Sequence, residues 1–394
     1  MNVLFISAVL PYPLHSGGQV RLYNLLKLLS RKHDITLFSF IRNENERQYV
    51  KELSFIKKIK LFYRGRAWQP KYILRSLTSP LPLLLSSYEN QEMKEDIRQE
   101  LENNHYSLIH CEPFYVCPSL PEDLPCPMVI AEHNIEYEIY ESYVQQFPIS
   151  FFRPFLHTDV TKIKKQEKAV WGKAHTIIAV SGHDASVIRS SVGEKGVTVI
   201  PNGVDTTYFS YEKKLFNKKN PRFLFVGNFL WIPNVKAVQR LIRAIWPKVI
   251  RGMPRGHLTI VGKHLSLQLQ EKARELHIEY KEYGGDIRDA YKSSDILLAP
   301  MTISGGTKFK ILEAMASGCL VITTKDGMEG IDAEKDTHVL EAETASDYLS
   351  RIQSVLGNPK KFQTMTQKAR SLIESQYDWK LSAEKQAEVW EHTK

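Results

Sequence analysis

At 394 residues the chain is longer than one ordinary hydrophobic core supports, so two domains are expected. Hydrophobic residues at 43% and charged residues at 25% exclude a disordered or fibrous chain, and no apolar run approaches the ~18 residues that cross a bilayer. A formal net charge of +9 leaves three anionic partners in view: nucleic acid, an acidic membrane surface or a phosphorylated substrate.

The opening residues Met1–Ala8 have no basic stretch before them and run into Pro11 and Pro13, so they read as a first buried strand rather than a signal peptide. Cys111, Cys117, Cys126 and Cys319 form no CxxC pair and no zinc spacing, which fits buried thiols in a reducing cytoplasm. Residues 3–8 read as a strand, 9–18 as a loop, 19–31 as a helix and 35–40 as a second strand, a βαβ unit. Its loop places Gly17 and Gly18, followed by Arg21, at the carboxyl end of the first strand, where ligands sit in a doubly wound sheet. The spacing is not G-x-G-x-x-G, so no dinucleotide fingerprint is read.

Residues 41–105 read as mixed and mostly helical. Within them Lys57–Arg75 mixes cations with Phe62, Tyr63, Trp68 and Tyr72. Aromatics among cations suit an anionic membrane interface or a lipid-linked acceptor, and a solvated surface element is the plainer alternative. Strands follow at 107–111 and 128–131. The second ends in Glu132-His133-Asn134-Ile135-Glu136, where His133 either bonds a sugar hydroxyl or phosphate or is an ordinary loop histidine bonded to backbone.

A helix over about 155–173 leads to a strand at 176–180, and Ser181 is a natural N-cap for the next helix. After the strand 197–200, the turn-rich Pro201-Asn202-Gly203-Val204-Asp205 and the polar, lysine-rich 213–221 mark a domain boundary. A second strand–helix series starts at 222–226, with a loop from Gly227 and Asn228 to Asn234, a helix over 235–250, and strands at 257–261, 278–283 and 296–300. Gly284 lies in another loop at a strand end.

The stretch from Ile303 to Gly318 lies between the buried strands 296–300 and 320–323 and carries the strongest functional signal. Gly305 and Gly306 allow a tight turn and close ligand approach, and Thr307 is placed as N-cap, so the first-turn N–H groups form an anion seat. A cation in the first turn opposes the helix dipole, so Lys308 calls for a negative group beside it, and a diphosphate supplies one. Lys310 and Glu313 are three apart, so Lys310 is expected to hold Glu313 while its second oxygen accepts hydroxyls. The plain alternative is a βαβ crossover with a glycine turn and a surface ion pair. Residues 345–394 read as helical, with Trp379 and Trp390 anchoring the final helix.

The sum is an α/β chain of two doubly wound, Rossmann-like domains facing one another across a cleft. At this point Ile200–Asp205, Gly227–Asn234 and Leu312–Gly318, with Gly17-Gly18 and His133-Asn134, resemble the motifs of family 4 of the glycosyltransferases, retaining enzymes of the GT-B fold. The resemblance covers nearly the whole length. It implies an N-terminal acceptor-binding domain over 1–203, a nucleotide-sugar domain over 204–375 and a crossover helix over 376–394 that packs back toward the first domain. The implied activity is transfer of a sugar from a nucleotide diphosphate sugar to a glycan or lipid-linked acceptor in envelope or exopolysaccharide synthesis. No cofactor is implied, and no metal, which agrees with the absence of an Asp-x-Asp pair.

By similarity, Glu313 binds the ribose hydroxyls, Gly305, Gly306 and Thr307 bind sugar and phosphates, and Lys308 or Lys310 neutralises the leaving diphosphate. Gly17, Gly18, Gly227, Asn228, Asn234, Gly284 and Leu312 complete the donor set, while Arg21, His133 and Asn134 position sugar or acceptor, His133 orienting the donor. Two departures stand out. The family commonly has a Glu where Gly305 stands, and its basic pair after the first strand of the second domain is missing around Asn228 and Asn234. The lysines at 308 and 310 are therefore expected to take over diphosphate binding. Competing readings are a nucleotide-sugar epimerase, with Glu132, His133 and Glu136 as its acid–base groups, and a basic membrane-surface or nucleic-acid-binding protein. The absence of a nucleic-acid motif and the scattered lysines argue against nucleic acid. A cytoplasmic protein, peripheral at the inner membrane face, is expected.

Overall fold

Every residue of β1 (Asn2–Ser7) after the first is buried, the mark of a parallel strand covered on both faces. The computed structural model describes residues 1–66, 69–145, 147, 149–193, 196–216, 219–282, 286–303 and 307–393. It divides into two units, Met1–Pro201 with Ser382–Lys394, and Asn202–Leu381. The divisions fall two residues before the expected boundary at 203 and, at the last helix, six residues after the expected start at 376.

In the first unit β1 is followed by β2 (Asp34–Ile41), β3 (Lys58–Tyr63), β4 (Leu108–Glu112), β5 (Met128–Ala131), β6 (Thr176–Ala179) and β7 (Val197–Val199). They form one parallel sheet in the order β3-β2-β1-β4-β5-β6-β7. Helices supply the cover. In Arg153–Lys173, Val160, Ile163, Glu167 and Trp171 recur at helical spacing and are buried. The final helix, Trp379–His392, ends in this unit, where Trp390 is buried and the Thr393 hydroxyl lies 2.9 Å from that of Thr176.

β3 interrupts residues 41–105, which are otherwise mostly helical as expected, and takes in the start of the Lys57–Arg75 stretch. It is an edge strand, and lysines on an edge discourage pairing with another chain. Its cations are already matched: Lys57 meets Asp34 at 2.6 Å, Lys58 meets Glu100 at 2.5 Å and Lys60 meets Asp96 at 2.6 Å. Arg75 pairs with Glu89 at 3.0 Å, Tyr72 is buried, and Trp68 lies outside the described residues.

The second unit is a six-stranded parallel sheet in the order β10-β9-β8-β11-β12-β13, from β8 (Arg222–Asn228), β9 (His257–Lys263), β10 (Glu279–Glu282), β11 (Ile296–Ala299), β12 (Leu320–Thr323) and β13 (Leu340–Glu341). The helix expected over 235–250 runs from Ile232 to Gly252, with a π turn at Leu241–Ile245. Pro247 explains the turn, because it lacks the N–H that would continue the regular ladder there. The helix Phe309–Ala316 stops at Gly318, whose φ of +80° allows Cys319 N–H to donate to Ala314 O at 2.9 Å.

Candidate active site

In each sheet two consecutive crossovers leave in opposite directions, between β1 and β4 and between β8 and β11, and side chains beyond these strand ends are the ones a ligand meets. In the first unit the loop after β1 is shorter than expected. Gly17 and Gly18 are already the first residues of the helix Gly17–Leu29, and Ser16 caps it by accepting from Gln19 N–H. Gly18 is needed for contact: a Cβ there would lie 3.1 Å from Nδ1 and Cε1 of His133. The His133 side chain is 18% exposed, and Asn134 beside it is half-buried.

His133 Nε2 lies 2.6 Å from Oε1 of Glu112, the last residue of β4. Arg21 Nε donates to the same oxygen at 3.1 Å, and His110 Nε2 lies 3.3 Å from Oε2. Burial pushes the Glu112 carboxyl up. The hydrogen bonds from His110 and His133 and the charges of His133 and Arg21 outweigh it and hold Glu112 well below the usual carboxylate range.

Arg21 does not position an acceptor. It is buried, and its Nη1 donates to the carbonyls of Ile200 and Pro201 at 3.1 and 3.2 Å. Glu112 and His110 were absent from the sequence reading, although two polar residues in an otherwise apolar, fully buried strand are an available signal.

Within the acid–base set of the epimerase reading, Glu132 is taken up by structure. Glu132 is buried and accepts from Trp171 Nε1 at 2.8 Å and Phe114 N–H at 3.4 Å. Burial pushes Glu136 up to about 7, and its N–H and that of Tyr137 donate to Glu167, which caps the helix Glu136–Gln145.

In the second unit Gly284, Gly305 and Gly306 lie outside the described residues. Thr307 is not the N-cap. That place is taken by Lys308, half-buried and without a side-chain cap bond, while the buried Thr307 donates from Oγ1 to Gly330 O at 3.3 Å. Nor does Lys310 hold Glu313. Its Nζ donates to Asn234 Oδ1 at 2.6 Å and lies 4.6 Å from the centre of the Phe225 ring. Burial lowers its pKa to about 7, with Glu313 raising it and Lys308 lowering it further.

Asn234 is fixed in turn by donating from Nδ2 to Asn228 O at 2.9 Å, and a Cβ on Gly227 would lie 3.1 Å from its Cγ. Glu313 Oε2 accepts from Tyr291 OH at 2.6 Å, a partner the sequence reading did not identify. Among the described residues no donor reaches Glu313 Oε1. Burial raises the Glu313 carboxyl, with Tyr291 and Lys310 opposing. Leu312 is buried in the core, not presented to a ligand. The unit therefore brings together, where β8 and β11 adjoin, a buried amine, a carboxylate with one open oxygen and the start of a helix, a set suited to phosphate and vicinal hydroxyls.

No described helix is long and apolar enough to cross a membrane. Residues 15–208 match the model described as Glycosyltransferase Family 4, and residues 220–358 match that of Glycosyl transferases group 1. A Klebsiella pneumoniae protein named only as an uncharacterized 44.6 kDa protein in the cps region is 23% identical, covering 96% of this chain and 97% of its own. Among solved structures, sucrose-phosphate synthase of Thermosynechococcus elongatus superposes with a TM-score of 0.75 at 16% identity, covering 99% of this chain and 98% of its own. Anabaena HepE in complex with UDP gives 0.68 at 15%, covering 99% and 100%. With both sheets parallel and both halves matched, the chain has the GT-B fold and belongs to glycosyltransferase family 4.

Proposed function

We propose that the chain transfers a hexose from a nucleotide diphosphate sugar to a hydroxyl of a glycan or lipid-linked acceptor, with retention of anomeric configuration. The observation that carries this reading is the buried Lys310 amine held by Asn234 beside the start of the helix Phe309–Ala316. The first N–H groups of a helix have no acceptor within it, so an arriving diphosphate finds amides and a cation together. Glu313 Oε1 takes the ribose hydroxyls. In a front-face retaining transfer no protein nucleophile is needed, and rate comes from placing donor and acceptor and from stabilising charge on the departing phosphate. HepE was crystallised with UDP, so UDP-hexoses are the first donors to assay alongside GDP- and ADP-hexoses. Release of the nucleoside diphosphate that depends on an added acceptor, together with an α-linked product from an α-linked donor, supports the reading. An isomerised free donor sugar would establish the epimerase instead.

The acceptor side of the same reading places the protein against an anionic bilayer, through a surface other than Lys57–Lys60. Leu74 and Leu77 of the helix Pro70–Thr78 and Phe151, Phe152 and Phe155 are exposed, Phe151 to 83%. Ser76 donates to Asp159 at 3.1 Å, which joins the helix Pro70–Thr78 to the helix Arg153–Lys173 that carries Phe155. Lys71, Arg153 and Lys162 lie in the same two helices and form no ion pair among the described residues, Lys162 donating to the carbonyls of Ser76 and Ser79 and Arg153 to that of Phe147. Exposed apolar side chains beside cations that lack a carboxylate partner fit the headgroup boundary of an acidic membrane.

A further inference from the structure

Four side chains determine how the His133 ring is held. Trp390 Nε1–H donates to His110 Nδ1 at 3.0 Å, both residues being fully buried. An indole nitrogen only donates, so His110 Nδ1 is bare and its proton sits on Nε2, where it is given to Glu112 Oε2 at 3.3 Å. The other carboxylate oxygen takes Arg21 Nε–H at 3.1 Å and faces His133 Nε2 at 2.6 Å. An ionised carboxylate has no hydrogen to offer, so His133 Nε2 carries the proton and donates it. The remaining nitrogen, Nδ1, is then the one turned to Gly18 and the start of the helix Gly17–Leu29.

We propose that Glu112 is a positioning residue for His133: its buried carboxylate fixes the ring by the Nε2 hydrogen and so presents Nδ1, beside Gly18, to the donor, with His110 and Trp390 fixing the carboxylate from behind. The inference rests on the reading in which His133 touches the donor. A purely structural Arg21–Glu112 pair would not require the short contact to a ring that is still partly exposed. The relay also gives the last helix a part in the site, because Trp390 decides the His110 tautomer from a position near the end of the chain.

The test uses the full chain with its 13 histidines ring-labelled with ¹⁵N, His133 being assigned by the signal lost in His133→Gln. The wild type is expected to show His133 protonated at Nε2. Glu112→Gln keeps the shape but turns an amide N–H₂ toward one of three donors. It is expected to shift the His133 tautomer and lower kcat/KM about a hundredfold, the upper end of what second partners of functional histidines contribute. Trp390→Phe removes the N–H together with part of the buried indole, so it is read beside a thermal melt, and it should free the His110 tautomer with a loss of about threefold to tenfold. It decides the matter where Glu112→Gln does not fold. A wild-type His133 bare at Nε2 and protonated at Nδ1 alone, or a folded Glu112→Gln with unchanged tautomer and rate, overturns the proposal. If His133→Gln itself is fully active, the donor-contact reading falls with it. An inactive His133→Gln beside an unaffected Glu112→Gln removes the positioning role alone.

Discussion

Lys310 Nζ lies 2.6 Å from Asn234 Oδ1, joining the first turn of the helix Phe309–Ala316 after β11 to the first turn of the helix that starts at Ile232 after β8, where the two strands are neighbours. The family's basic pair expected after β8 is missing around Asn228 and Asn234, and the Lys310 contact brings a cation to Asn234 from the other crossover. A buried cation held by one amide is costly unless an anion completes its surroundings. Lys310→Met, which keeps the length and apolar stem, should weaken donor binding by about 10- to 100-fold, the range for one charge-assisted hydrogen bond. Its melting temperature should hold or rise. Calorimetry returning wild-type affinity would remove Lys310 from the diphosphate site.

The same amine gives a pH signature. Burial holds Lys310 at about 7 against an ordinary 10.5, so between these values the unfolded chain binds more protons and native stability rises with pH. Donor binding reverses the local balance, because two phosphates favour the ammonium. A nucleotide diphosphate sugar has no phosphate titrating near neutrality, so the protein supplies the whole change. At pH 8 binding should take up close to one proton, and affinity should fall by up to about tenfold per pH unit above 7. Calorimetry in two buffers of different ionisation enthalpy measures the uptake. Zero uptake at pH 8 rules the mechanism out.

Glu313 has one oxygen on Tyr291 and one without a described partner. If the open oxygen receives the ribose hydroxyls, the wild type should prefer a ribonucleoside diphosphate to its 2′,3′-dideoxy analogue by about tenfold or more. In Glu313→Ala that preference should vanish while the dideoxy analogue binds as before. A preference that survives the substitution places the ribose elsewhere.

Much of this was legible in the residues, and what was not has physical causes. The buried strands were readable because helices cover both faces of each sheet, giving unbroken apolar runs such as Ile296–Ala299. β3 escaped because an edge strand alternates, and Lys58 and Lys60 look like a solvated charge run until their partners Glu100 and Asp96 are seen. At the candidate site, Gly18, His133, Lys310 and Glu313 were singled out by type and position. Their pairings with Glu112, Asn234 and Tyr291 were not, because these reach them across 21, 76 and 22 residues of chain and no local spacing records such a meeting. Arg21 was misassigned for the same reason: a cation near a glycine loop looks available until its acceptors at Glu112, Ile200 and Pro201 are known.

Membrane contact separates two surfaces of the first unit. Phe151→Ser with Phe155→Ser should lower sedimentation with phosphatidylglycerol vesicles at least tenfold, since burying one Phe is worth about 1.5–3 kcal/mol. The melting temperature should stay put, because both rings are exposed. Lys57→Ala with Lys60→Ala should leave vesicle binding nearly intact, as those cations already face Asp34 and Asp96. The opposite pattern would return the contact to the edge strand, and equal binding to phosphatidylcholine would discount the cations.

Gly18 separates stability from turnover at one atom. Its backbone is helical, so alanine is allowed there and by propensity gains about 0.5–1 kcal/mol over glycine. The new Cβ, however, meets His133 Nδ1 and Cε1 at 3.1 Å, and the ring has to give by a few tenths of an ångström. Glu112 resists that movement through its 2.6 Å hydrogen bond. Gly18→Ala should therefore melt within about 2 °C of the wild type, the two effects opposing each other. Its kcat/KM should fall about tenfold or more, because a displaced contact to the donor is felt in the transition state. Steady-state kinetics beside a thermal melt reads both. A Gly18→Ala protein that turns over at the wild-type rate would show that the face of His133 beside the helix start is not where the donor is held.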